Sequence, residues 1–251
     1  ASRSSTRGTA DSEMLQLALH RASSILEEDK VENCRILPNQ TSPFRMESEV
    51  MKTRTKIVFQ DTPISWPEGV GQTILTRRST RGYTGEGFLQ EELSAILEYG
   101  YQPLLSSTSS GPSLFFSPLL LTTALVVQKV VGLSEGVYHY DPKEKAATLM
   151  RQGDFRNQTS HFCLGQDLAK NAAALVIHLA HLKTALDQYG DRAYRYLHLD
   201  AGHIGERINL AAIRMGLGVS GIGGFYDDEV NALLDLSLDW IVVYITTLGR
   251  P

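Results

Sequence analysis

Three long apolar runs constrain the fold of this chain most strongly. They cover residues 119–130, 172–180 and 240–248, and each has the length and composition of a strand buried within a sheet. Between the second and third runs, Ile204, Ile208 and Ala211 recur at helical spacing, which predicts a long amphipathic helix. The chain therefore combines long buried strands with at least one long helix.

The elements before and between these runs complete the predicted order. Ile74 and Leu75 predict a short helix, and a second helix begins near Gln90. The run 119–130 is followed by a Gly-Leu-Ser-Glu-Gly turn and a strand at 137–141, which together predict a β-hairpin. The order of helices, hairpin, strand, helix and strand predicts an α+β fold with a sheet flanked by helices, rather than regular βαβ winding.

The first 66 residues have a different character. Apolar residues at helical spacing between 15 and 26 predict a helix, whereas residues 30–66 are rich in Asn, Pro, Ser and Thr, with one strand-like stretch at 55–59. We therefore expect a helical arm and extended linker over residues 1–66 and the catalytic domain over residues 67–251.

Composition excludes several classes of function. The 251 residues carry a formal net charge of −4, and their basic groups are short and scattered, which disfavours nucleic-acid binding. No apolar run reaches the roughly 18 residues of a membrane span. Cys34 and Cys163 are far apart and belong to no Cys/His cluster, so we expect neither a metal site nor a disulfide framework, but a cytoplasmic protein.

A cluster of cationic side chains follows the first short helix. Several guanidinium groups and one hydroxyl lie within five positions, and arginine binds phosphate oxygens bidentately at any relevant pH. A solvated basic face is the alternative interpretation. The cluster comprises Arg77, Arg78, Ser79 and Arg81.

Two glycine-containing segments could bring the main chain close to a ligand. Residues 216–225 hold five glycines, which would let the backbone lie against a flat ring, although a helix C-cap followed by a turn is the simpler interpretation. The Ser/Gly-rich loop at 106–113 could line a ligand or form a flexible linker. The first segment lacks the strand-loop-helix context of a dinucleotide-binding fingerprint.

These motifs, taken in order, resemble the nitroreductase-like FMN flavoproteins. Residues 75–83 (Leu-Thr-Arg-Arg-Ser-Thr-Arg-Gly-Tyr) are similar to the opening flavin-phosphate motif of that superfamily. The segments 135–142, 189–196, 199–203 and 222–225 resemble its peptide-modifying branch, the azoline dehydrogenases of microcin, streptolysin-type and cyanobactin biosynthesis. The resemblance covers about residues 67–251.

The resemblance implies a fold, a cofactor and a reaction. The fold is a mostly antiparallel central sheet in an intertwined homodimer with FMN at the subunit interface. The reaction is the oxidation of thiazoline or oxazoline rings on a ribosomally made peptide to thiazole or oxazole, with O2 reoxidising the flavin. The implied cofactor-binding residues are Arg77, Arg78, Ser79, Arg81, Ser109, Ser110, Gly111, Ile222, Gly223, Gly224 and Arg250.

One departure from the family pattern concerns the proton that the azoline carbon loses. The family motif has Lys-Tyr before a glycine, whereas this chain has Gln188 and Tyr189. Tyr189 is then the candidate base, and Lys183 is a candidate for the missing cation, since glutamine cannot lower the pKa of a tyrosine electrostatically. An NAD(P)H-dependent nitro- or quinone reductase and a non-catalytic flavin-binding scaffold are the alternatives.

Overall fold

A seven-stranded sheet forms the centre of the computed structural model, which describes Met14, Leu17, Ala18 and His20 and then residues 54–66, 69–105 and 120–251. The strand order is β1-β6-β5-β3-β7-β9-β8, and every neighbouring pair is antiparallel. The strands are β1 (Lys56–Val58), β3 (Leu121–Val127), β5 (Gly136–Asp141), β6 (Ala146–Gln152), β7 (Ala174–His181), β8 (Gly218–Ile222) and β9 (Trp240–Gly249). A separate parallel pair joins β2 (Phe88–Leu89) to β4 (Val130–Val131).

The predicted apolar runs become three adjacent strands of this sheet, β3, β7 and β9. Strand β7 lies between β3 and β9, with Val176 paired to Leu125 on one side and to Thr246 on the other. All of its residues except His181 are buried. Flanking strands and helices thus remove both edges and both faces of the run 172–180 from water, which is why its sequence is almost continuously apolar.

Helices cover both faces of the sheet. On one face α2 (Gln90–Leu105) and α6 (Ala193–Arg214) pack together, with buried residues such as Ile96 and Ile208 in the core between helices and sheet. The opposite core contains Phe162 and Val230, from two of the shorter helices. The remaining helices are α1 (Gly71–Thr76), α3 (Arg156–Phe162), α4 (Asp167–Asn171), α5 (Leu182–Tyr189) and α7 (Asp227–Leu234).

The structure confirms the α+β class and the principal predicted elements. The short helix near Ile74, the helix from Gln90, the β3–β5 hairpin and the long helix α6 are all present. The residues described between 14 and 20 are helical, and the strand predicted at 55–59 is β1, which joins the main sheet through β6. Among the residues described, no helix has the length and apolarity that crossing a membrane requires.

The glycine segment 216–225 both ends a helix and continues as an extended strand. Gly216, with φ of 75°, follows the end of α6 in the left-handed conformation that favours glycine. The chain then enters β8, an edge strand that the sequence did not predict, because so many glycines disfavour a strand. Its pairing to β9, from Gly218 opposite Gly249 to Ile222 opposite Ile245, fixes the position of the following residues.

Candidate functional site

The arginine segment, residues 77–83, is hydrogen-bonded to the free edge of β8. The Thr80 amide donates to the Val219 carbonyl at 2.9 Å, and the Val219 amide donates to the Thr80 hydroxyl oxygen at 3.0 Å. Farther along the segment, the buried Tyr83 hydroxyl donates to the Thr247 carbonyl at 3.0 Å. The segment therefore satisfies polar groups of the edge strand and acquires a fixed position.

Two glycines make this close approach possible. A Cβ at Gly218 would lie 2.9 Å from side-chain atoms of both Thr80 and Tyr83, and a Cβ at Gly249 would lie 2.9 Å from the Tyr83 ring. The main chain of β8 and β9 can thus contact the segment only where a side chain is missing. These contacts escaped the sequence interpretation, because neither glycine indicates in the sequence which residue packs against it.

The four clustered side chains differ in their surroundings. Arg77 Nε lies 3.4 Å from Glu206 Oε1 on α6. The Arg78 guanidinium folds back and donates to the carbonyl of Arg77 at 2.6 Å, at the end of α1. Ser79 and Arg81 make no side-chain hydrogen bond or ion pair within the part of the chain that the structure describes, and Ser79 is only half-exposed. Arg77 and Arg78 thus already have partners within the chain, whereas Ser79 and Arg81 have none among the described residues.

The glycine ribbon, residues 222–224, continues directly from β8. Ile222 is buried in the core, whereas Gly223 and Gly224 are exposed. A Cβ at Gly223 would meet no atom within 4 Å, and one at Gly224 would lie 3.1 Å from Leu164. The main chain at Gly223 therefore borders open space, as contact with a flat ligand requires.

The arginine segment and the glycine ribbon occupy one edge of the sheet. Thr80 binds Val219, and Gly223 is four residues farther along the same strand direction, which corresponds to about 13 Å. Arg77 lies toward the ribbon end of this interval, because it contacts Glu206, and the preceding residue, Gly205, packs against the Tyr244 ring that also faces Gly221. Cationic side chains and an open glycine surface thus border the same stretch of β8.

Arg250 lies at the other end of the β8–β9 pair. One guanidinium nitrogen, Nη2, donates to both carboxylate oxygens of Glu92, at 3.0 and 2.8 Å. Its carbonyl accepts a hydrogen bond from the Thr84 amide at 3.1 Å, so its main chain holds the end of the arginine segment. A phosphate would have to share this guanidinium with Glu92.

The predicted proton-handling residues lie on a different element. Gln188 and Tyr189 are half-buried at the end of α5, and the Tyr189 ring meets Tyr196 edge to face at 5.6 Å between centroids. Lys183 is exposed and binds Asp187 at 2.8 Å, an interaction that raises the pKa of Lys183. Tyr196 and Glu206 are ten residues apart on α6, or about 15 Å. Within one chain, Tyr189 therefore does not join Arg77.

The remaining predicted cofactor contacts are Ser109, Ser110 and Gly111, which lie outside the described residues. Cys163 is buried, and burial raises the pKa of its thiol to about 12, so this cysteine is not a reactive thiolate. Cys34 also lies outside the described residues.

Comparison with known proteins identifies the family. The sequence profile of the nitroreductase family matches residues 74–250, which include every segment of the site just described. The chain belongs to the nitroreductase family. Its members are typically flavin proteins and oxidoreductases. A protein of Methanocaldococcus jannaschii, MJ1384, provisionally named a nitroreductase, is 29% identical over 171 residues, which cover 65% of this chain and 82% of that protein.

Solved structures of similar proteins have the same fold as this chain. A provisionally assigned nitroreductase from Anabaena variabilis is 47% identical, with a TM-score of 0.74 over 79% of this chain. The match spans only 42% of the Anabaena chain. A chain of the E. coli microcin synthetase McbBCD complex, bound to truncated pro-MccB17, shares the fold at 14% identity, with a TM-score of 0.58 over 95% of this chain and 92% of its own.

The side chains and backbone at this edge fit a flavin mononucleotide. Arginine side chains and a serine hydroxyl can donate hydrogen bonds to a phosphate. The main chain of Gly223 and Gly224 is exposed, and the absence of a Cβ there leaves room for a planar ring. Among the described residues, no group of three or more His, Cys, Asp or Glu is placed to hold a metal ion.

Proposed function

We propose that this chain is an FMN-dependent oxidase that converts thiazoline or oxazoline rings of a ribosomally made peptide to thiazole or oxazole. The observation that carries the proposal is the attachment of the arginine segment to the edge strand that continues into the glycine ribbon. Arg77, Ser79 and Arg81 would hold the phosphate and ribityl chain, and residues 222–224 would face the ring. Arg78 would contribute at the end of α1, and Arg250 and residues 109–111 would add contacts.

The reaction removes two electrons and two protons from each ring. Bound FMN supplies the two-electron acceptor for the hydride, with O2 as the final oxidant. The second proton leaves as H⁺ and needs a base, which is the role proposed for the Tyr189 phenolate. Gln188 cannot stabilise that phenolate by charge, and Lys183, which Asp187 keeps protonated on the same helix, is the cation proposed to do so.

The separation of Tyr189 from Arg77 supports a homodimer as the active form. About 15 Å of α6 lies between the Tyr189–Tyr196 contact and the Glu206 that binds Arg77. A second copy of the chain would supply Tyr189 to the flavin held by the first. The fold shared with a chain of a microcin synthetase supports a peptide as the substrate, and peptide oxidation then takes place where the two copies meet.

A nitro- or quinone reductase using NAD(P)H is the second candidate. Two relatives with provisional assignments as nitroreductases favour it, and one chain of the same fold is an NADPH:FMN oxidoreductase from Vibrio harveyi, at 22% identity and a TM-score of 0.50. A flavin-binding scaffold without turnover is the third, and the glutamine at position 188 favours it.

The three candidates give different results with the purified protein. The visible spectrum is recorded first, and we expect the two absorption bands of an oxidised flavin. The protein is then incubated in air with an azoline-containing peptide, and the mass of the product is measured by mass spectrometry. Loss of two hydrogens per ring supports the oxidase, whereas NADPH consumption with a nitroaromatic and no mass loss supports the reductase. A flavin spectrum with neither activity identifies a scaffold.

A further inference from the structure

Tyr244 on β9 occupies a slot that two glycines create. A Cβ at Gly205 on α6 would lie 2.7 Å from the Tyr244 ring, and a Cβ at Gly221 on β8 would overlap the Tyr244 hydroxyl oxygen. Alanine at either position would displace the ring. Because a helix and a neighbouring strand both lack a side chain at the same ring, its orientation is set by packing from two sides.

The hydroxyl of Tyr244 has no hydrogen-bond partner among the described residues, although the side chain is half-buried. Because packing holds the ring in place, the hydroxyl has a fixed position from which it can donate to a ligand. Burial, and then the charge of Glu206, raise the pKa of Tyr244, while Arg77 opposes the shift. The hydroxyl therefore keeps its proton at neutral pH and can donate a hydrogen bond.

The hydroxyl lies beside the open part of the proposed flavin site. Ile222 pairs with Ile245, so the next residue of the ribbon, Gly223, follows the strand toward the position opposite Tyr244. The space over Gly223 is open. On the other side, Gly205 precedes Glu206, which binds Arg77. The hydroxyl, which has no acceptor among the described residues, thus lies close to the glycine ribbon and to the helix residue that binds Arg77.

We propose that Tyr244 is a cofactor-binding residue, which donates its hydroxyl hydrogen bond to a phosphate oxygen of the flavin nucleotide alongside Arg77. The inference rests on the FMN binding in the proposed function. Phosphate is the acceptor because the charged neighbour of the hydroxyl that attracts an anion is Arg77, and a guanidinium and a phenol can bind different oxygens of the same phosphate. The two glycines then serve to aim the hydroxyl.

The test compares a flavin that carries the phosphate with one that does not. Dissociation constants of FMN and riboflavin are measured by fluorescence quenching on flavin-free full-length protein, for the wild type and Tyr244→Phe. Loss of a hydrogen bond to a charged group raises the dissociation constant of FMN about tenfold. Riboflavin binding should change by less than about twofold, since the phosphate is the proposed acceptor.

Two measurements separate this role from a structural one. Phenylalanine keeps the ring in its slot and removes a hydroxyl that has no hydrogen-bond partner in the described part of the chain, so the Tm of flavin-free Tyr244→Phe should equal that of the wild type. Tyr138→Phe is the matched control. Tyr138 lies on β5, four strands from β8, and its hydroxyl donates to the Ser134 carbonyl at 2.7 Å. Removing this hydroxyl should leave the dissociation constants of FMN and riboflavin unchanged.

The outcomes are distinguishable. A Tyr244→Phe variant that binds FMN like the wild type, or that loses FMN and riboflavin equally, overturns the role of Tyr244 while leaving the proposed function in place. Wild-type protein that binds neither flavin overturns the proposed function and this inference together.

Discussion

The arginine segment and the Tyr189 helix end are held in the molecule in different ways. Residues 77–83 are attached to the central sheet by main-chain and side-chain hydrogen bonds and by contacts at two glycines. Tyr189 ends a helix of eight residues, with its ring against Tyr196 and an exposed ion pair, Lys183–Asp187, on the same helix. A single chain thus builds the proposed cofactor site, whereas the proposed base belongs to a surface about 15 Å away along α6.

This difference implies that binding and proton transfer can be separated by mutation. The largest expected effect is on turnover: Tyr189→Phe removes the only proposed group that accepts the azoline proton. General-base catalysis contributes roughly 10²–10⁴-fold, so we expect the rate of azoline oxidation to fall by about that factor. The dissociation constant of FMN should stay within about twofold, because no proposed FMN contact involves this hydroxyl.

Single-turnover oxidation of an azoline peptide, followed by mass spectrometry and flavin absorbance, measures the first effect. Gln188→Lys restores the family's cationic neighbour and should raise the rate in the wild-type background but not in Tyr189→Phe. A Tyr189→Phe enzyme that retains full activity would assign the base elsewhere.

The second prediction concerns the binding half of the comparison. Replacing both Arg77 and Arg81 with alanine removes two charge-assisted contacts to the phosphate, so we expect the dissociation constant of FMN to rise about a hundredfold. Riboflavin should be affected far less, which equilibrium titration with both flavins measures. Arg214→Ala is the matched control, since that exposed guanidinium donates to the Ser65 carbonyl at 2.7 Å near the end of α6. Equal weakening of FMN by the control would indicate a general effect of charge.

The candidate site residues are visible in the sequence, whereas their attachment to the sheet is not. Arg77, Ser79 and Gly223 were identified as candidates, because clustered cations and clustered glycines are visible as local patterns. Thr80, Tyr83 and Tyr244 were not, since each acts through a partner more than 100 residues away or on another element. Strand β8 was missed for a related reason: its residues have low strand propensity, and pairing with β9 and Thr80 stabilises it instead.

The same distinction holds for the whole fold. Strands β3, β7 and β9 were predicted because their own apolar residues require burial, and α6 because its apolar spacing is regular. Strand β6 and helices α3 and α4 have mixed sequences whose structure depends on what they pack against. Gln128 illustrates this, as its buried side-chain amide donates to the carbonyls of Ala169 and Ala172 and thereby holds α4 against the sheet.

The buried interior of the sheet around β7 is predicted to be sensitive to acid. His178 on β7 is fully buried, Tyr101 and Tyr140 belong to the same core, and the imidazole Nδ1 lies 3.3 Å from the Tyr101 hydroxyl. Burial lowers the pKa of His178 to about 4, and its Nε2 has no hydrogen-bond partner among the described residues. An unfolded histidine has a pKa near 6.5, so between about pH 6.5 and 4 only the unfolded state binds the proton.

The free energy of unfolding should therefore fall by about 1.4 kcal/mol for each pH unit below 6.5, or about 2 kcal/mol by pH 5. Urea denaturation at several pH values measures this slope. Glutamine cannot be protonated, so in His178→Gln this part of the pH dependence should be absent. The pH dependence that arises from the carboxylates should remain. Parallel pH dependences for the two proteins would show that His178 accepts a proton in the folded state.

The smallest expected effect tests the attachment of the arginine segment. Tyr83→Phe removes the hydroxyl that contacts the Thr247 carbonyl at 3.0 Å and the Thr247 hydroxyl at 2.9 Å, but keeps the ring against Gly218 and Gly249. A buried hydrogen bond contributes about 1 kcal/mol, so the free energy of unfolding should fall by about that amount. The Thr247 hydroxyl still donates to the Ser220 carbonyl, which limits the loss.

The FMN dissociation constant of this variant indicates what holds the arginines in place. If the two Thr80–Val219 hydrogen bonds suffice, FMN binding stays within about threefold of the wild type although stability falls. The exposed Tyr194→Phe serves as the control for stability and should change the free energy of unfolding by less than about 0.5 kcal/mol. A large loss of FMN affinity in Tyr83→Phe would mean that the segment is positioned as a unit from Thr80 to Tyr83, so the cofactor site and the β8–β9 edge would then fold as one structure.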